Sequence, residues 1–471
     1  MMQQVEVIIV GSGTAGLSAL REVRRATDDF LVINEGDWGT TCAARGCMPS
    51  KALIEIANAY HRRHDFAAFG IAGAETVTVD VPAALSRVRR LRDGFTRGPR
   101  AVPGELGERA VSGRARLVGP DRVCVNGREI AARRIILAPG SRPVVPAPWA
   151  RFGDRILTTD TLFEQHDVPG RIAVVGLGAI GVEMAQALAR LGVEVAGFDA
   201  TDGLAGLTDP EVTHAFRASL EREFQVHLGA PAELEEADGG IRVGSAAGHF
   251  TADAVLAAMG RRPNIDDLGL DTLGVELDER GMPSVDPNTL QVADLPVWLV
   301  GDANGHLAVL HEAADEGHIA GRNAVAEASR AHCRRTELVI VFSSPGVARV
   351  GARLGDLDLG AIAIGVADFS QQARAKTAER AEGQMRIYAD RESGRLVGSE
   401  MCVPGAEHLA HLLALAIDRD LTVHELLEMP FYHPVLEEGL RGALRDVARA
   451  LPGGGGSDLA DCAEPGLRVP A

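Results

Sequence analysis

Two stretches of the chain repeat the same order of apolar and polar positions. Each begins with a short apolar strand, passes through a turn rich in glycine and continues with apolar residues at helical spacing. The first copy runs from Val5 to Val23, and the second runs from Arg171 to Leu188. Because a strand, a tight turn and an amphipathic helix form the start of a βαβ unit, the repeat predicts two parallel α/β segments.

Both turns follow the spacing G-x-G-x-x-G, in which glycines let the backbone approach a pyrophosphate and the helix N-terminus supplies free N–H groups. The glycines are Gly11, Gly13 and Gly16 in the first copy and Gly176, Gly178 and Gly181 in the second. An acid follows the next apolar strand in each copy, Glu35 in the first and Asp199 in the second. Such an acid accepts hydrogen bonds from a ribose 2′-hydroxyl, so we expect a dinucleotide at each site.

The second site is expected to prefer NAD over NADP. A carboxylate at Asp199 repels a 2′-phosphate, and no arginine stands at the end of that strand. Gly181 as the third glycine agrees with this preference.

A second repeat closes each nucleotide segment. Residues 135–143 and 255–263 both read as a buried strand that ends in a glycine turn, at Gly140 and at Gly260. A further strand leads to Asp302, which is placed to accept a hydrogen bond from a ribitol hydroxyl. The N-terminus of the helix predicted from about Leu307 to Ala326 would stabilise negative charge on a reduced flavin.

These repeats predict an α/β fold with two nested Rossmann-like dinucleotide-binding domains and an α+β C-terminal dimerisation domain. The expected segments are 1–145 for the first part of the first nucleotide-binding domain, 146–270 for the second nucleotide-binding domain, which is expected to bind NAD, 271–335 for the return segment of the first, 336–451 for the dimerisation domain and 452–471 for a flexible tail. In the dimerisation domain, the strands expected over 338–342, 361–367, 385–389 and 396–402 alternate with helices and carry no glycine fingerprint. This domain is therefore expected to supply packing and dimerisation surface.

Two cysteines five positions apart, Cys42 and Cys47, precede a Pro-Ser-Lys helix start. A loop this small adds little stability as a cross-link, and an internal pair in a chain without a secretory signal is more often catalytic or metal-binding. A zinc site is the weaker interpretation because the other four cysteines are scattered singly, at Cys124, Cys333, Cys402 and Cys462. The pair predicts a redox disulfide, and no metal is expected.

A disulfide excludes a regular helix between the two cysteines. Five residues of α-helix rise about 7.5 Å, which exceeds the roughly 7 Å that the Cα atoms of a disulfide can span. We therefore expect a distorted turn around Gly46 and a regular helix from about Pro49. Its buried stripe is expected at Ala52, Leu53, Ile56, Ala57 and Tyr60.

An acid–base pair is predicted near the end of the chain. His433 stands just outside an amphipathic helix that Pro434 is expected to start, and Glu438 lies within reach. A histidine titrates near neutral pH and is oriented by a carboxylate, which is what a general base needs. A reducible disulfide gives such a base a task, because a dithiol substrate must lose protons.

Composition narrows the partners. The formal net charge of −17 argues against nucleic acid. No segment reads as a membrane span or a secretory signal, so the cytoplasm is the expected compartment. The glycine run 453–456 lies at the start of the predicted tail, which carries Cys462.

Taken together, the motifs resemble those of the pyridine nucleotide-disulfide oxidoreductases, and most closely the dihydrolipoamide dehydrogenases, over about Val5 to Arg449. The most specific parts are Cys42–Lys51, Gly178–Glu183, Gly301–Asp302 with the 311–317 helix, and His433–Pro434 with Glu438. The resemblance implies a homodimer that holds FAD in the first glycine site and NAD in the second and oxidises protein-bound dihydrolipoyl groups. It also implies active sites shared between subunits, the histidine coming from the other subunit.

Roles follow from the same resemblance. Cys42 would be the thiol that meets the dithiol, and Cys47 the thiolate in charge-transfer contact with the flavin. Lys51 would sit by flavin N5, paired with Glu183. His433, oriented by Glu438, would accept the dithiol proton, and a lipoyl-bearing carrier would be the partner.

The chain departs from the family pattern at three places, none of them a redox group. Trp38–Thr41 replaces Leu-Gly-Gly-Thr, Val435 replaces a threonine, and Ala138–Gly140 replaces Ala-Thr-Gly. These departures suggest a divergent branch that serves a non-standard lipoyl carrier.

Other functions stay open. One is an NAD(P)H-dependent reductase of another disulfide, which Asp199 and Gly181 oppose. Another is an electron relay through Cys462, although such relays use a cysteine pair. A flavoprotein scaffold would not need the redox residues, and a nicotinamide transhydrogenase would not need the disulfide.

Overall fold

The computed structural model describes residues 3–454 and 458–459. In chain order their strands are β1 (Gln3–Val10), β2 (Phe30–Asn34), β3 (Ala110–Ser112), β4 (Ala115–Gly119), β5 (Arg122–Val125), β6 (Arg128–Leu137), β7 (Ser141–Pro143), β8 (Ile156–Leu157), β9 (Arg171–Val175), β10 (Glu194–Phe198), β11 (Gln225–His227), β12 (Glu233–Ala237), β13 (Gly240–Ser245), β14 (Gly248–Ala252), β15 (Ala254–Ala257), β16 (Arg261–Pro263), β17 (Val297–Leu299), β18 (Leu338–Val341), β19 (Gly346–Gly351), β20 (Ile362–Asp368), β21 (Gln384–Asp390) and β22 (Leu396–Val403).

The α-helices of the same residues alternate with these strands. They are α1 (Thr14–Ala26), α2 (Thr41–Arg45), α3 (Cys47–His61), α4 (Val81–Leu106), α5 (Thr159–Leu162), α6 (Ala179–Arg190), α7 (Pro210–Leu220), α8 (Leu310–Val325), α9 (Ala373–Lys376), α10 (Ala406–Asp418), α11 (Val423–Leu427) and α12 (Glu437–Ala450).

One of two structural units combines the residues up to Ile56 with Asp80–Val168 and Ala257–Arg334. Its sheet has the order β3-β2-β1-β6-β5-β4, with β17 also paired to β6. β1 lies parallel to β2 and β6, so that Val10 pairs with Ile33 and with Leu137. The carboxyl ends of these three strands therefore meet beside the first glycine turn, which is where open α/β sheets bind ligands.

The central strand β1 is buried on both faces, as its apolar run predicts. Val7 and Ile9 pack in one core cluster with residues of α1 and α8, and Ile8 and Val10 pack in a second cluster on the opposite face. This alternation follows from the two-residue repeat of a strand.

The other unit contains Ala57–Val79, Pro169–Leu256 and the chain from Arg335 onward. Its strands stand in the order β11-β10-β9-β15, of which β11, β10 and β9 are parallel, and β12, β13 and β14 form an antiparallel meander. A second, antiparallel sheet has the order β18-β19-β22-β21-β20 and shares a core cluster with α10, α11 and α12. These two units group the chain differently from the five segments expected from the sequence, whose boundaries stay a prediction.

Most expected elements are present with small shifts. The regular helix begins at Cys47, two residues before Pro49, after a break at Gly46 with φ −128° and ψ −108°. The helix after Asp302 runs over Leu310–Val325. The ends of the second repeat pair with each other, because β7 and β16 form an antiparallel ladder with Arg142 opposite Arg262.

In the C-terminal region one strand was not predicted and one expected helix start was wrong. β19 lies between β18 and β22 in the sheet, but the sequence pattern did not predict it. It is six residues long, begins and ends in glycine and carries Arg349 at its centre. α12 begins at Glu437 and not at Pro434, since residues 433–436 form a turn.

Candidate active site

The redox loop consists of α2, Gly46 and the start of α3. It joins Cys42 and Cys47 in a disulfide whose Cα atoms are 4.7 Å apart, which confirms the predicted pairing. Gly46 interrupts the helical path, as the disulfide geometry requires. Pro49 lies within the first turn of α3, where its missing N–H has no helical partner to lose.

The N-terminal end of the redox loop is fixed by a side-chain cap and by a hydrogen bond to the first glycine turn. Thr40 is the N-cap of α2, and its hydroxyl accepts the Ala43 N–H at 3.1 Å. The preceding Gly39 donates its N–H to the Ser12 hydroxyl at 3.3 Å, inside the first glycine turn. The disulfide is therefore tied to the turn that is expected to hold a pyrophosphate.

The first glycine turn needs glycine for two different reasons. A Cβ on Gly11 would lie 2.1 Å from the Ala138 carbonyl oxygen, and one on Gly16 would lie 2.0 Å from the Gly11 carbonyl oxygen, so both positions are closed by backbone. Gly13 instead has no atom within 4 Å of its Cβ position. It is also the N-cap of α1 and makes no side-chain cap. The free N–H groups of α1 and the open face at Gly13 suit a pyrophosphate.

A cavity of about 410 Å³ lies beside this turn at the ends of β1 and β2. Glu35 is one of its polar walls, together with Asn34, Arg114, Arg142, Asn264 and Asp266. Arg142 donates to Asn264 at 3.0 Å and also to Asp266, which holds the pKa of the Asp266 carboxyl below its usual range. The cavity lies beside the first glycine turn and has polar walls, and both features suit the adenosine end of a dinucleotide.

The second glycine turn repeats this design. Gly176 has φ +94°, a value that favours glycine. Gly178 is the uncapped N-cap of α6 and has no atom within 4 Å of its Cβ position, like Gly13. Gly181 is buried in the first turn of α6.

Asp199 occupies the position in the second turn that Asn34 occupies in the first, one residue before the position of Glu35. Gly11 donates its N–H to Ile33 and Gly176 donates to Phe198, so the next residues, Asn34 and Asp199, are equivalent. The Asn34 side-chain oxygen accepts the Ser12 N–H at 3.0 Å, and the Asp199 carboxylate accepts the Leu177 N–H at 2.7 Å. The position of Glu35 is thus occupied by Ala200 in the second turn.

Sequence reasoning missed Asn34 because it searched for an acid. Its amide nitrogen donates to three successive carbonyl oxygens, those of Glu35, Gly36 and Asp37, at 3.2, 3.3 and 3.1 Å. An asparagine at the end of the strand, with Gly36 and Asp37 two and three positions later, was a usable signal for such a turn.

Asp302 lies in a polar chain next to the Gly140 turn. The Ser141 hydroxyl donates to the Asp302 carboxylate at 2.5 Å and accepts from Arg261 at 2.8 Å. Glu316, a buried residue of α8, accepts the Gly301 N–H at 2.6 Å and fixes the turn that carries Asp302. Gly140 and Gly260 both have positive φ, +71° and +94°.

His433 and Glu438 form the predicted pair. His433 Nδ1 is 3.0 Å from Glu438 Oε1, and the other oxygen, Oε2, accepts the Val435 N–H at 3.2 Å. The hydrogen bond with His433 lowers the pKa of the Glu438 carboxyl, with the Val435 N–H adding to the effect. An ionised carboxylate only accepts hydrogen bonds, so Nδ1 carries the proton and Nε2 is the basic nitrogen.

Lys51 and Glu183 lie in different structural units. Lys51 is a partly buried residue of α3, one turn after Cys47. Glu183 is buried in α6, and its Oε1 accepts the Phe342 N–H at 3.0 Å. The pairing of Lys51 with Glu183 stays a prediction.

The pattern of the pyridine nucleotide-disulphide oxidoreductase family matches residues 5–317, and that of the dimerisation domain of the same family matches residues 339–444. The chain belongs to the pyridine nucleotide-disulphide oxidoreductases. Members of this family use FAD and NAD or NADP, and the chain carries their dimerisation domain, which supports a homodimer.

Similar proteins cover nearly the whole chain. Dihydrolipoyl dehydrogenase of Bacillus subtilis is 30% identical over 453 residues, which are 93% of this chain and 97% of that protein. Mitochondrial dihydrolipoyl dehydrogenase 1 of Arabidopsis thaliana is 28% identical over 467 residues, 93% of this chain and 89% of that protein.

Solved structures share the fold. LpdA of Mycobacterium tuberculosis superposes with a TM-score of 0.80 at 25% identity, covering 94% of this chain and 99% of that chain. The HOCl-induced flavoprotein disulfide reductase RclA of Escherichia coli, as its Cu(II) complex, gives a TM-score of 0.82 at 21% identity over 94% of this chain and 99% of that chain.

The described residues contain neither a candidate membrane span nor a candidate metal cluster. None of their helices is long and apolar enough to cross a membrane. No cluster of three or more His, Cys, Asp or Glu side chains is arranged there to hold a metal ion.

Proposed function

We propose that this family member is a dihydrolipoyl dehydrogenase, which oxidises protein-bound dihydrolipoyl groups through Cys42 and Cys47 and reduces NAD. The observation that carries the proposal is the Cys42–Cys47 disulfide in a chain that aligns over 93% of its length with a dihydrolipoyl dehydrogenase. Glycine sites for two nucleotides and the His433–Glu438 pair complete the groups that the reaction needs.

FAD fits the first nucleotide site. The open face at Gly13, the uncapped N-terminus of α1 and the cavity lined by Glu35 provide room and donors for its pyrophosphate and adenosine. Asp302, fixed by Ser141, and Lys51 are proposed to contact the ribitol and the flavin. When bound, FAD supplies two-electron transfer between the reduced disulfide and NAD.

The thiol chemistry is carried by this chain. The substrate thiolate attacks the Cys42 sulfur, a new S–S bond forms, and the Cys42–Cys47 bond breaks with Cys47 leaving as a thiolate. The second substrate thiol loses its proton to His433 Nε2 and attacks the mixed disulfide. This step releases the oxidised lipoyl substrate and leaves Cys42 as a thiolate. Two electrons have then passed to the enzyme, one substrate proton is held by His433, and the proton of the first substrate thiol has gone to solvent.

Glu438 positions the base for that step. By accepting the Nδ1 proton it leaves Nε2 free to receive the substrate proton, and its charge stabilises the imidazolium that forms. His433 is 74% exposed within one chain. We propose that it serves the disulfide of the other subunit, which fits a side chain that projects from the dimerisation domain.

NAD is proposed as the acceptor. Asp199 keeps a negative charge at the ribose end of the second site, and residues 199–209 contain no lysine or arginine that would bind a 2′-phosphate. Asp202 adds a second acid to that loop.

The test uses purified FAD-loaded protein with dihydrolipoamide and NAD, followed by NADH absorbance. NADP, and NADPH with glutathione disulfide, are assayed in parallel. Cys47→Ser is expected to remove at least about 10³-fold of the turnover, since it removes the acceptor of the electron pair. Cys333→Ser is the matched control because Cys333 is a free and exposed cysteine, and it should keep full activity.

Two results would contradict the proposal. One is dihydrolipoamide oxidation that survives in Cys47→Ser. The other is absence of lipoamide turnover together with NADPH-driven reduction of glutathione disulfide, which would assign the chain to reductases of low-mass disulfides.

Three finer points remain part of the proposal. We propose that the partner is a lipoyl carrier of a divergent kind. NADH formation with several purified lipoylated carriers tests this, and equal rates with all of them would oppose specialisation. The cytoplasm is the expected compartment.

Cys462 lies outside the described residues, and deleting the chain after Leu451 should leave lipoamide activity intact, because a relay would need a cysteine pair.

A further inference from the structure

Arg45 stands between the two redox cysteines, three residues after Cys42 on α2. Its guanidinium nitrogens lie 3.6 Å from the Asp37 carboxylate and 3.6 Å from the Asp160 carboxylate. Neither acid belongs to the redox loop, because Asp37 follows β2 and Asp160 lies in α5. Arg45 therefore joins the redox loop to two separate segments of the same unit.

Arg45 is the last residue of a short helix that lies near the protein surface. α2 is five residues long, and none of its residues is buried. A helix this short is unstable alone and depends on tertiary contacts. Thr40 caps the first turn of α2. Arg45, the last residue of α2, forms the two ion pairs.

Asp160 is the firmer of the two partners. Its side chain is 29% exposed, and its Oδ1 is buried and accepts no hydrogen bond from the described residues. The segment after it is tied to α4, because Arg89 donates to the carbonyls of Phe163 and Gln165 at 3.2 and 2.6 Å. Arg45 thus places a positive charge beside a partly buried carboxylate, in a segment that Arg89 holds in place.

Asp37 is the weaker partner, since 79% of its side chain is exposed and solvent screens the pair. Its backbone carbonyl, however, accepts from Asn34 at 3.1 Å. Through this bond Arg45 is connected to the residue that holds the first glycine turn.

We propose that Arg45 is a positioning residue that keeps Cys42 and Cys47 at closing distance after their disulfide is reduced. In the oxidised loop the covalent bond holds the two Cα atoms 4.7 Å apart. Two electrons and two protons convert that bond into two thiols, and only non-covalent contacts then hold the loop. The ion pairs of Arg45 do not depend on the disulfide and keep α2 in place for reclosure.

The inference rests on the proposed redox role of the disulfide but not on the identity of the substrate. It is tested by equilibrating FAD-loaded protein anaerobically with mixtures of dithiothreitol and its cyclic disulfide. Acid quenching, alkylation and mass spectrometry then give the fraction of the Cys42–Cys47 disulfide. Arg45→Ala is expected to shift the equilibrium about fivefold toward the dithiol, because closing the loop costs more ordering.

A purely electrostatic role predicts the opposite direction. Loss of the cation would raise the thiol pKa, destabilise the thiolate and shift the equilibrium toward the disulfide, most at high pH. Arg45→Lys keeps the charge but loses the two-pronged guanidinium. The positioning role therefore predicts an intermediate shift toward the dithiol in Arg45→Lys, at every pH where the protein is folded.

Arg122→Ala is the matched control. Arg122 also lies between two carboxylates, Asp121 at 3.5 Å and Glu129 at 3.3 Å, on a strand of the same unit. It should leave the equilibrium unchanged. An Arg45→Ala equilibrium equal to that of Arg122→Ala, or shifted toward the disulfide, would overturn the inference.

The assay separates this inference from the proposed function. Dithiothreitol needs no lipoyl site, so a wild-type protein that fails to oxidise dihydrolipoamide still reports on Arg45. Thermal unfolding of each variant identifies one that has lost its fold, and Arg45→Lys then carries the test.

Discussion

In the first glycine turn Asn34 accepts the Ser12 N–H at 3.0 Å, and in the second Asp199 accepts the Leu177 N–H at 2.7 Å. The two side chains occupy the same register position, but only the second is charged. The first turn gains its acid one residue later, at Glu35 on the cavity wall, where the second turn has Ala200. A repeat of sequence thus preserves the hydrogen bond that shapes the turn, while the charge near the expected ribose is placed differently in each copy.

The comparison also separates glycines that shape a turn from glycines that face a ligand. Gly11 and Gly16 are enclosed by backbone, whereas Gly13 and Gly178 face open space. The same residue type therefore predicts opposite consequences for folding and for nucleotide binding.

Gly16→Ala should have the largest effect on folding. Its Cβ would lie 2.0 Å from the Gly11 carbonyl oxygen, so the turn must move. We expect the free energy of unfolding to fall by about 3 kcal/mol or more, measured by urea denaturation. Gly13→Ala serves as the control and should lose less than about 1 kcal/mol. Equal losses in both variants would show that enclosure by backbone does not distinguish the two glycines.

Gly13→Ala and Gly178→Ala should each impair one nucleotide only. A methyl group at either position enters the space that a pyrophosphate needs, while the fold is kept. We expect Gly13→Ala to weaken FAD retention about tenfold and Gly178→Ala to raise the KM for NAD about tenfold, each near 1.4 kcal/mol. Flavin release and NAD titrations measure the two effects. A variant that impaired both nucleotides equally would break the assignment of separate sites.

Exchanging the two side chains should reveal their different surroundings. Asn34→Asp places a carboxylate oxygen against the three carbonyl oxygens that accept from the Asn34 amide. We therefore expect the free energy of unfolding to fall by about 2 kcal/mol. Asp199→Asn keeps the hydrogen bond from the Leu177 N–H. Its free energy of unfolding should fall by about 1 kcal/mol, mainly because the hydrogen bond from the Thr201 N–H is weakened.

The same exchange tests cofactor choice. Asp199→Asn should reduce the preference for NAD over NADP by about tenfold, because the charge that opposes a 2′-phosphate is removed. The ratio of kcat/KM for the two cofactors measures this. An unchanged ratio would mean that Asp199 only shapes the turn, as Asn34 does.

Asp266 should give the smallest effect, at the wall of the first cavity. Its pKa is lowered by the Arg142 guanidinium, so the pair stabilises the folded state above the ordinary aspartate pKa of about 3.9, and this contribution is lost as pH falls through the lower folded pKa. We expect the free energy of unfolding of the wild type to exceed that of Asp266→Asn by less than about 1 kcal/mol at pH 6, since the Arg142–Asp266 pair is exposed. The difference should shrink as pH falls below about 3.9 in an acid denaturation series; a difference that does not shrink has another cause.

The sequence predicted the parts of the site that depend on local spacing. Two cysteines five apart required the break at Gly46, and the glycine spacings required tight turns before α1 and α6. Such features need no knowledge of distant residues, because chain geometry alone limits them.

Features that depend on tertiary neighbours were not predictable in the same way. The equivalence of Asn34 and Asp199 is visible only in the strand register, and the partners of Arg45 lie in segments 8 residues before it and 115 residues after it, at Asp37 and Asp160. β19 is short and bounded by glycines, so its place in the middle of a sheet is decided by pairing with β18 and β22.

The most direct test of the proposed redox function follows the two cysteines during reduction by the proposed substrate. One equivalent of dihydrolipoamide is added anaerobically to FAD-loaded protein, thiols are alkylated after acid quenching, and NAD is added to a second portion. We predict that Cys42 and Cys47 become alkylated together and that NAD restores their disulfide while NADH forms in equal amount. NADH formation with the disulfide intact, or reduced cysteines that NAD does not reoxidise, would contradict the proposed route.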